Sequence, residues 1–267
     1  MSNFGKSAVL TALLFALPNI AATAADLGRI PPPPVYAPIP YEVGSNWYLR
    51  GDLGYKWYGS PTTHYDDPSY LADIPDGGNF INESISNTGV VGLGFGYRFN
   101  QNFRTDFTLD YEWPGEFHGN LHCIDTGTPC GSSDYSDEFA DISAWSGLVN
   151  AYIDLGTWGG LTPYVGAGIG ASYLTVSNVH FVNPANSDTP GPGSWSGSAS
   201  KWNFAWALMV GASFNLSRDW LVDVNYRYVN LGNAESVVIP ALAGTEPIRY
   251  DNITAQEIRV GLRFLLN

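Results

Sequence analysis

The run WNFAWALMVGASFNL, residues 202–216, decides the fold by parity. Trp202, Phe204, Trp206, Leu208, Val210, Ala212, Phe214 and Leu216 fall on one side, and Asn203, Ala205, Ala207, Met209, Gly211, Ser213 and Asn215 on the other. Successive side chains of a strand point to opposite faces, so this is one wholly apolar face backed by small and polar groups. A helix would scatter both sets around its axis. At ~3.3 Å per residue the run is long enough to cross a bilayer when tilted.

The alternation recurs on either side of this run. Residues 47–58 place Trp47, Leu49, Leu53, Tyr55 and Trp57 against Arg50, Asp52 and Lys56. Residues 88–99 oppose Val91, Leu93, Phe95, Tyr97 and Phe99 to Gly92, Gly94, Gly96 and Arg98. Residues 103–113 set Phe103, Phe107, Leu109, Tyr111 and Trp113 against Arg104, Asp106, Asp110 and Glu112. Weaker alternation over 142–155 leaves Asn150, Tyr152 and Asp154 on the polar side, and 161–174 pairs Val165, Ala167, Ile169 and Ala171 with three glycines. Beyond the opening run, 220–229 opposes Trp220, Val222, Val224, Tyr226 and Tyr228 to Asp223, Asn225 and Arg227. Finally, 254–266 opposes Ile258, Val260, Leu262 and Phe264 to Glu257, Arg259 and Arg263.

Eight such strands alternate with three short turns and four long segments, and every long segment follows an odd-numbered strand. Antiparallel strands joined this way send all long connections out of one end. The pattern predicts an all-β, eight-stranded antiparallel transmembrane up-and-down barrel over residues 46–267, with four long external loops. Its apolar face meets lipid. Aromatics near strand ends, for which core packing is the default one at a time, together read as two interfacial girdles.

The polar faces then line the interior. They carry Arg50, Lys56, Arg98, Arg104, Arg227, Arg259 and Arg263 against Asp52, Asp106, Asp110, Glu112, Asp154, Asp223 and Glu257, seven of each sign. A barrel of eight strands is just wide enough for side chains to fill, and charges inside it must be paired or hydrated. The expectation is a salt-bridged, plugged interior. Inward glycines make room for long side chains crossing from other strands, or else relieve local curvature.

Composition bounds the rest. A formal charge of −13 with no basic stripe argues against nucleic acid. Past the N-terminus no apolar run reaches roughly 18 residues, which excludes a helical membrane protein. Residues 1–25, with Lys6, an apolar stretch from Ala8 to Leu17 and Ala22-Thr23-Ala24-Ala25, read as a signal peptide. Residues 26–45 contain PPPPVYAPIP and read as an extended periplasmic lead-in, a plain spacer rather than a recognition ligand. Export makes a local disulfide the simplest reading of Cys123 and Cys130, seven positions apart; a metal site would need ligands that this spacing does not supply, although His118 and His122 lie close by.

On several of these segments the chain resembles the small outer-membrane surface-antigen barrels of alpha-proteobacteria, which share the outer-membrane protein A type of eight-stranded barrel. The matching stretches are the Ala-Ala-Asp processing site, the Pro-rich lead-in, NWYLRGDLGY, VGLGFGYRF, LTPYVGAGIGAS, VDVNYRYVNLG and EIRVGLRF. The resemblance implies an abundant envelope or surface protein and brings no catalytic residue or cofactor. It also implies outer-membrane lipid, lipopolysaccharide and the barrel assembly machinery as partners. Members of the family usually end in an aromatic residue, whereas this sequence ends Phe264-Leu265-Leu266-Asn267.

A structural, non-catalytic surface role is therefore the first expectation. The alternatives are an adhesin binding an extracellular or host ligand through its loops, and a narrow porin-like channel. Asp66, Asp67, Asp73 and Asp76, and Asp134, Asp137, Glu138 and Asp141, read as solvated acidic loops rather than a cation site, since their spacing matches no defined geometry. His64, His118, His122 and His180 all fall in expected loops and read as solvent-exposed. No nucleophile–base pair flanks them in sequence, so an envelope enzyme is disfavoured. A soluble lipocalin-like barrel would need the opposite orientation of its faces.

Overall fold

The computed structural model describes residues 46–65, 80–122, 135–183, 191–241 and 244–266. The expected signal peptide and Pro-rich lead-in, Cys123, Cys130 and Asn267 lie outside them. The strands are β1 Trp47–Tyr58, β2 Thr62–Tyr65, β3 Phe80–Ile85, β4 Thr88–Arg98, β5 Phe103–His122, β6 Tyr135–Asp154, β7 Leu161–Asn183, β8 Gly191–Ser194, β9 Ser198–Asn215, β10 Trp220–Ala241 and β11 Gly244–Leu265. Eight of these are long and pair antiparallel in the order β1-β4-β5-β6-β7-β9-β10-β11. β11 returns to β1 in a register from Tyr48↔Leu265 to Tyr58↔Ala255, so each long strand has a neighbour on both sides. The short strands are additions: β2 pairs with β11, β3 with β5 and β8 with β7.

The short turns have local causes. Between β4 and β5 the Asn100 carboxamide oxygen accepts from the amides of Asn102 and Phe103, both at 2.8 Å. Between β9 and β10 the Ser217 hydroxyl does the same for Asp219 and Trp220. These side chains satisfy amides that a tight reversal removes from the ladder. Between β6 and β7, Gly156, Gly159 and Gly160 occupy positive φ.

Parity holds throughout the band between the girdles. Leu53, Leu93, Leu109, Val149, Ile169, Leu208, Val224 and Val260 are exposed outward, while Asp52, Asp110, Asn150, Met209, Asp223 and Arg259 are buried. At the turn end Trp47–Tyr97, Tyr97–Phe99, Phe99–Phe103 and Trp220–Phe264 form ring contacts at 4.8–5.4 Å. At the far end Tyr55–Trp57, Tyr111–Trp145, Tyr173–Trp202 and Trp206–Tyr228 do so at 4.8–5.6 Å. From Trp47 to Trp57, a rise of ~3.3 Å per residue at a tilt of ~40° gives ~25 Å, the height of a lipid-facing band.

The strands continue well past this band, where loops were expected. β5 reaches His122 instead of stopping at Trp113, β7 reaches Asn183, and β10 and β11 extend to Ala241 and Gly244. Two features hid these extensions. Bulges at Glu112/Gly115, Phe139/Asp141 and three points along β10–β11 reset the two-residue period. The polarity of the faces also inverts: Phe117, Leu121, Ile142, Leu174, Val176, Leu231, Ile248 and Ile253 are buried inside, while Glu116, Asp137, Asp141 and Glu235 lie outside. Above the lipid the outer surface meets water, and burying an apolar side chain inside contributes about 1.5–3 kcal/mol.

Pairing of β10 with β9 ends at Asn230↔Trp206, although both strands run on. The Asn203 side-chain amide then takes over the ladder's role, donating to the Asn233 carbonyl at 2.9 Å and accepting from its amide at 3.1 Å. Gly232, at φ +88°, sits so close to Asn203 that a Cβ there would collide with it. The hairpin then sets Tyr250 edge-on to Phe117 of β5, at 4.8 Å across the interior.

Candidate functional site

The interior side chains of the lipid-embedded band form three stacked groups. Nearest the short turns, Arg104 Nε meets Asp154 Oδ1 at 3.1 Å, and its guanidinium lies 3.9 and 4.5 Å from the ring centres of Tyr152 and Tyr164. Beside it Arg263 Nη2 donates to Asp223 Oδ1 at 2.6 Å and to Ser213 Oγ at 3.2 Å. In the middle, Arg50 grips both oxygens of Asp52 at 2.7 and 2.8 Å and donates to Asp106 at 2.9 Å. Asp106 also accepts from Tyr48, Tyr152 and Asn150.

In the third group Asp110 takes Arg259 Nη2 on one oxygen at 2.6 Å and Arg227 Nη1 on the other at 2.7 Å. Arg227 Nε reaches Glu257 at 3.2 Å, and Lys56 bridges Glu257 to Glu112, which also accepts from the Tyr58 hydroxyl. Charge-assisted bonds of this kind offset the desolvation of two buried ions only when the remaining lone pairs and protons are also engaged. Tyrosine, asparagine and serine supply several of those further bonds. They carry no charge signal, so sequence parity turns them inward without assigning them to the network.

Glycines permit the crossing. A Cβ on Gly92 would run into the Asp110 carboxylate and stand 2.6 Å from Arg259 Nη2, and one on Gly94 would stand 3.0 Å from Arg50 Cγ. The β7 glycines Gly166 and Gly168 are occupied in the same way by Tyr152 and Asn150.

Of the fourteen charged residues expected inside, thirteen are buried. Arg98 is half-buried at the last position of β4, where it lines the mouth on the short-turn side. The buried set is therefore six cations and seven carboxylates, because at Arg98 the strand has already reached the turn.

The histidine and acid expectations need correction. His64 lies in β2, His118 and His122 in β5 and His180 in β7, and His64, His118 and His180 are half-buried rather than free in loops. Bulges and the polarity switch had disguised these segments as loops. On the outer wall His118, Phe139 and His180 face one another across three strands at 4.9 Å each, with His118 Nε2 3.1 Å from Asp137. Asp137, Glu138 and Asp141 belong to β6, and Glu138 points inward, 6% exposed. Its carboxylate accepts from the Ser136 hydroxyl at 2.7 Å, and burial pushes its pKa up to about 7 against the pull of that bond and of His180. Asp66, Asp67, Asp73, Asp76 and Asp134 lie outside the described residues. Among the described residues no group of three or more His, Cys, Asp or Glu is placed to hold a metal ion.

A closed antiparallel sheet with lipid-compatible walls, aromatic girdles and an ionic interior is a transmembrane β-barrel of the bacterial outer-membrane kind. The chain belongs to the outer membrane protein beta-barrel domain family, whose model matches residues 8–264, and so resides in the outer membrane of a Gram-negative bacterium. It is 36% identical over 231 residues to an uncharacterized protein of Brucella abortus, covering 80% of this chain and 78% of that one. A Rickettsia bellii protein named as a candidate adhesin is 26% identical over 221 residues, covering 82% and 87% of the two chains. Among solved structures, the outer membrane protein OprG from Pseudomonas aeruginosa matches 83% of this chain and 97% of its own at 16% identity, with a TM-score of 0.49.

Proposed function

We propose that this chain is a non-catalytic structural and surface component of the outer membrane whose interior is plugged. The observation that carries this reading is the stacking of ion-paired groups below an apolar layer, with Asp110 between Arg227 and Arg259 and Tyr250 against Phe117. A solute would have to break paired charges and then cross a mainly apolar layer. Each of the seven carboxylates in the lipid-embedded band is also committed to a cation, which argues against general acid–base chemistry at that level. Liposomes containing the protein should swell in small sugars no faster than empty ones; rapid swelling would favour the narrow-channel alternative.

A second reading, recognition of an extracellular ligand, draws on the strands that rise past the lipid. Their outer wall presents the His118–Phe139–His180 ladder and Asp137 to the cell exterior. The Rickettsia relative named as a candidate adhesin supports the same direction. Adhesion of cells bearing the wild-type chain, compared with cells bearing Phe139→Ala, tests it; equal adhesion removes this wall from consideration. Lipopolysaccharide and the assembly machinery remain the partners expected from residence in this membrane.

A further inference from the structure

At the short-turn end the barrel holds a half-enclosed polar pocket of about 100 Å³, lined among others by Arg98, Arg263, Thr157, Thr162 and Asn215. Arg263 is 1% exposed. Its Nη2 is spent on Asp223 and Ser213, yet its Nε–H meets no acceptor among the described residues. A buried guanidinium N–H left without an acceptor is costly, so this donor favours an acceptor entering the pocket. Thr157 and Thr162 share one hydroxyl hydrogen bond at 2.7 Å, so the second hydroxyl proton is free to turn inward. The one carboxylate in the lining, Asp154, already has its charge matched by Arg104 at 3.1 Å. The lining thus carries two guanidinium groups, Arg98 and Arg263, against one carboxylate that is already paired.

We propose that this mouth binds a small oxyanion, a carboxylate or phosphate group entering from the periplasm, with Arg263 and Arg98 as its cationic contacts. A guanidinium presents its N–H groups in a planar fork that suits either group, and the pocket volume admits a group of a few heavy atoms. The groups lining this mouth come from the turn ends of β4, β6, β7, β9, β10 and β11. The site is thus built by barrel closure and does not exist on any single hairpin. It is separate from the outer wall and does not depend on whether the barrel conducts.

The test is a side-chain NMR titration of the full chain folded in detergent micelles, following arginine Nε–H resonances as phosphate, acetate or a dipeptide with a free C-terminus is added against constant chloride. A saturable shift of the Arg263 resonance is expected. Phosphate binding more tightly than acetate identifies a phosphate group; acetate and the dipeptide binding more tightly identify a carboxylate. Arg98→Gln, at the half-buried rim, should weaken binding by about tenfold or more, and Thr162→Val should weaken it less. Heat-modifiable migration verifies that both variants are folded. No saturable shift with any of the three anions, or affinity unchanged in both folded variants, overturns the proposal.

Discussion

Asp110 and Arg259 are 149 positions apart in sequence and meet twice inside the barrel, at 2.6 and 3.3 Å, while Arg227 takes the other side of the same carboxylate. One carboxylate thus ties β5 to β10 and β11 across the interior. Replacing it with leucine strands two buried cations. Asp110→Leu should cost about 3–5 kcal/mol or abolish folding, and Asp110→Asn, which keeps hydrogen-bonding capacity, should cost less. Urea unfolding in lipid vesicles, read by heat-modifiable migration, measures both; a leucine variant as stable as wild type would contradict the pairing.

Gly92→Ala tests the same region without removing a charge. Its methyl would wedge against Asp110 and Arg259, whereas Gly51→Ala points outward with its nearest neighbour 3.6 Å away. The expected costs are about 1–3 kcal/mol for position 92 and under about 0.5 kcal/mol for position 51. Equal effects at the two positions would mean that the inward glycines serve curvature alone.

The apolar layer above the lipid should respond to pH through Glu138. Its folded pKa, about 7, stands above the ordinary 4.5 because burial penalises the charged form; Asp137 adds to the rise, while Ser136 and His180 oppose it. A raised carboxyl pKa gives stability that is complete below pH 4.5 and lost as pH rises through 7. The total is about 3 kcal/mol across that window. Hydrogen exchange at β6 amides 136–140, corrected for intrinsic rates, should show weaker protection at pH 8 than at pH 5. Glu138→Gln should flatten the difference; an unchanged profile in that variant would place the effect elsewhere.

Cys123 and Cys130 should be joined within one extracellular segment. Thiol counting on unreduced, denatured protein is expected to find none free, and two free thiols would rule the bond out. The closed ring is short, so its loss should cost ~2–3 kcal/mol at most and leave the barrel assembled.

The lipid-embedded part of the fold was legible because its two faces meet two very different environments. Leu109 beside Asp110, or Val260 beside Arg259, leaves no doubt about which side meets lipid. The register partners follow once the turns at 100–102 and 217–219 are recognised. The extensions were not legible. There Phe117 and Leu121 are inside and Glu116 outside, the arrangement of a water-soluble barrel, and the switch occurs across bulges that shift the period. Glu138 illustrates the consequence: among Asp137 and Asp141 it looked like part of a solvated acidic loop, and its burial depends on a strand that local composition does not announce. The charged interior was readable as a set, but who pairs with whom was not. Cross-barrel partners such as Arg50 and Asp106 depend on strand tilt and stagger, which no single segment encodes.

Single-channel recording of the purified monomer in a planar bilayer tests the plugged interior most directly. With Asp110 held between Arg227 and Arg259 and the apolar layer above them, only rare, small conductance steps are predicted. Steady, large conductance from the wild-type monomer would contradict it and make the barrel a water-filled channel.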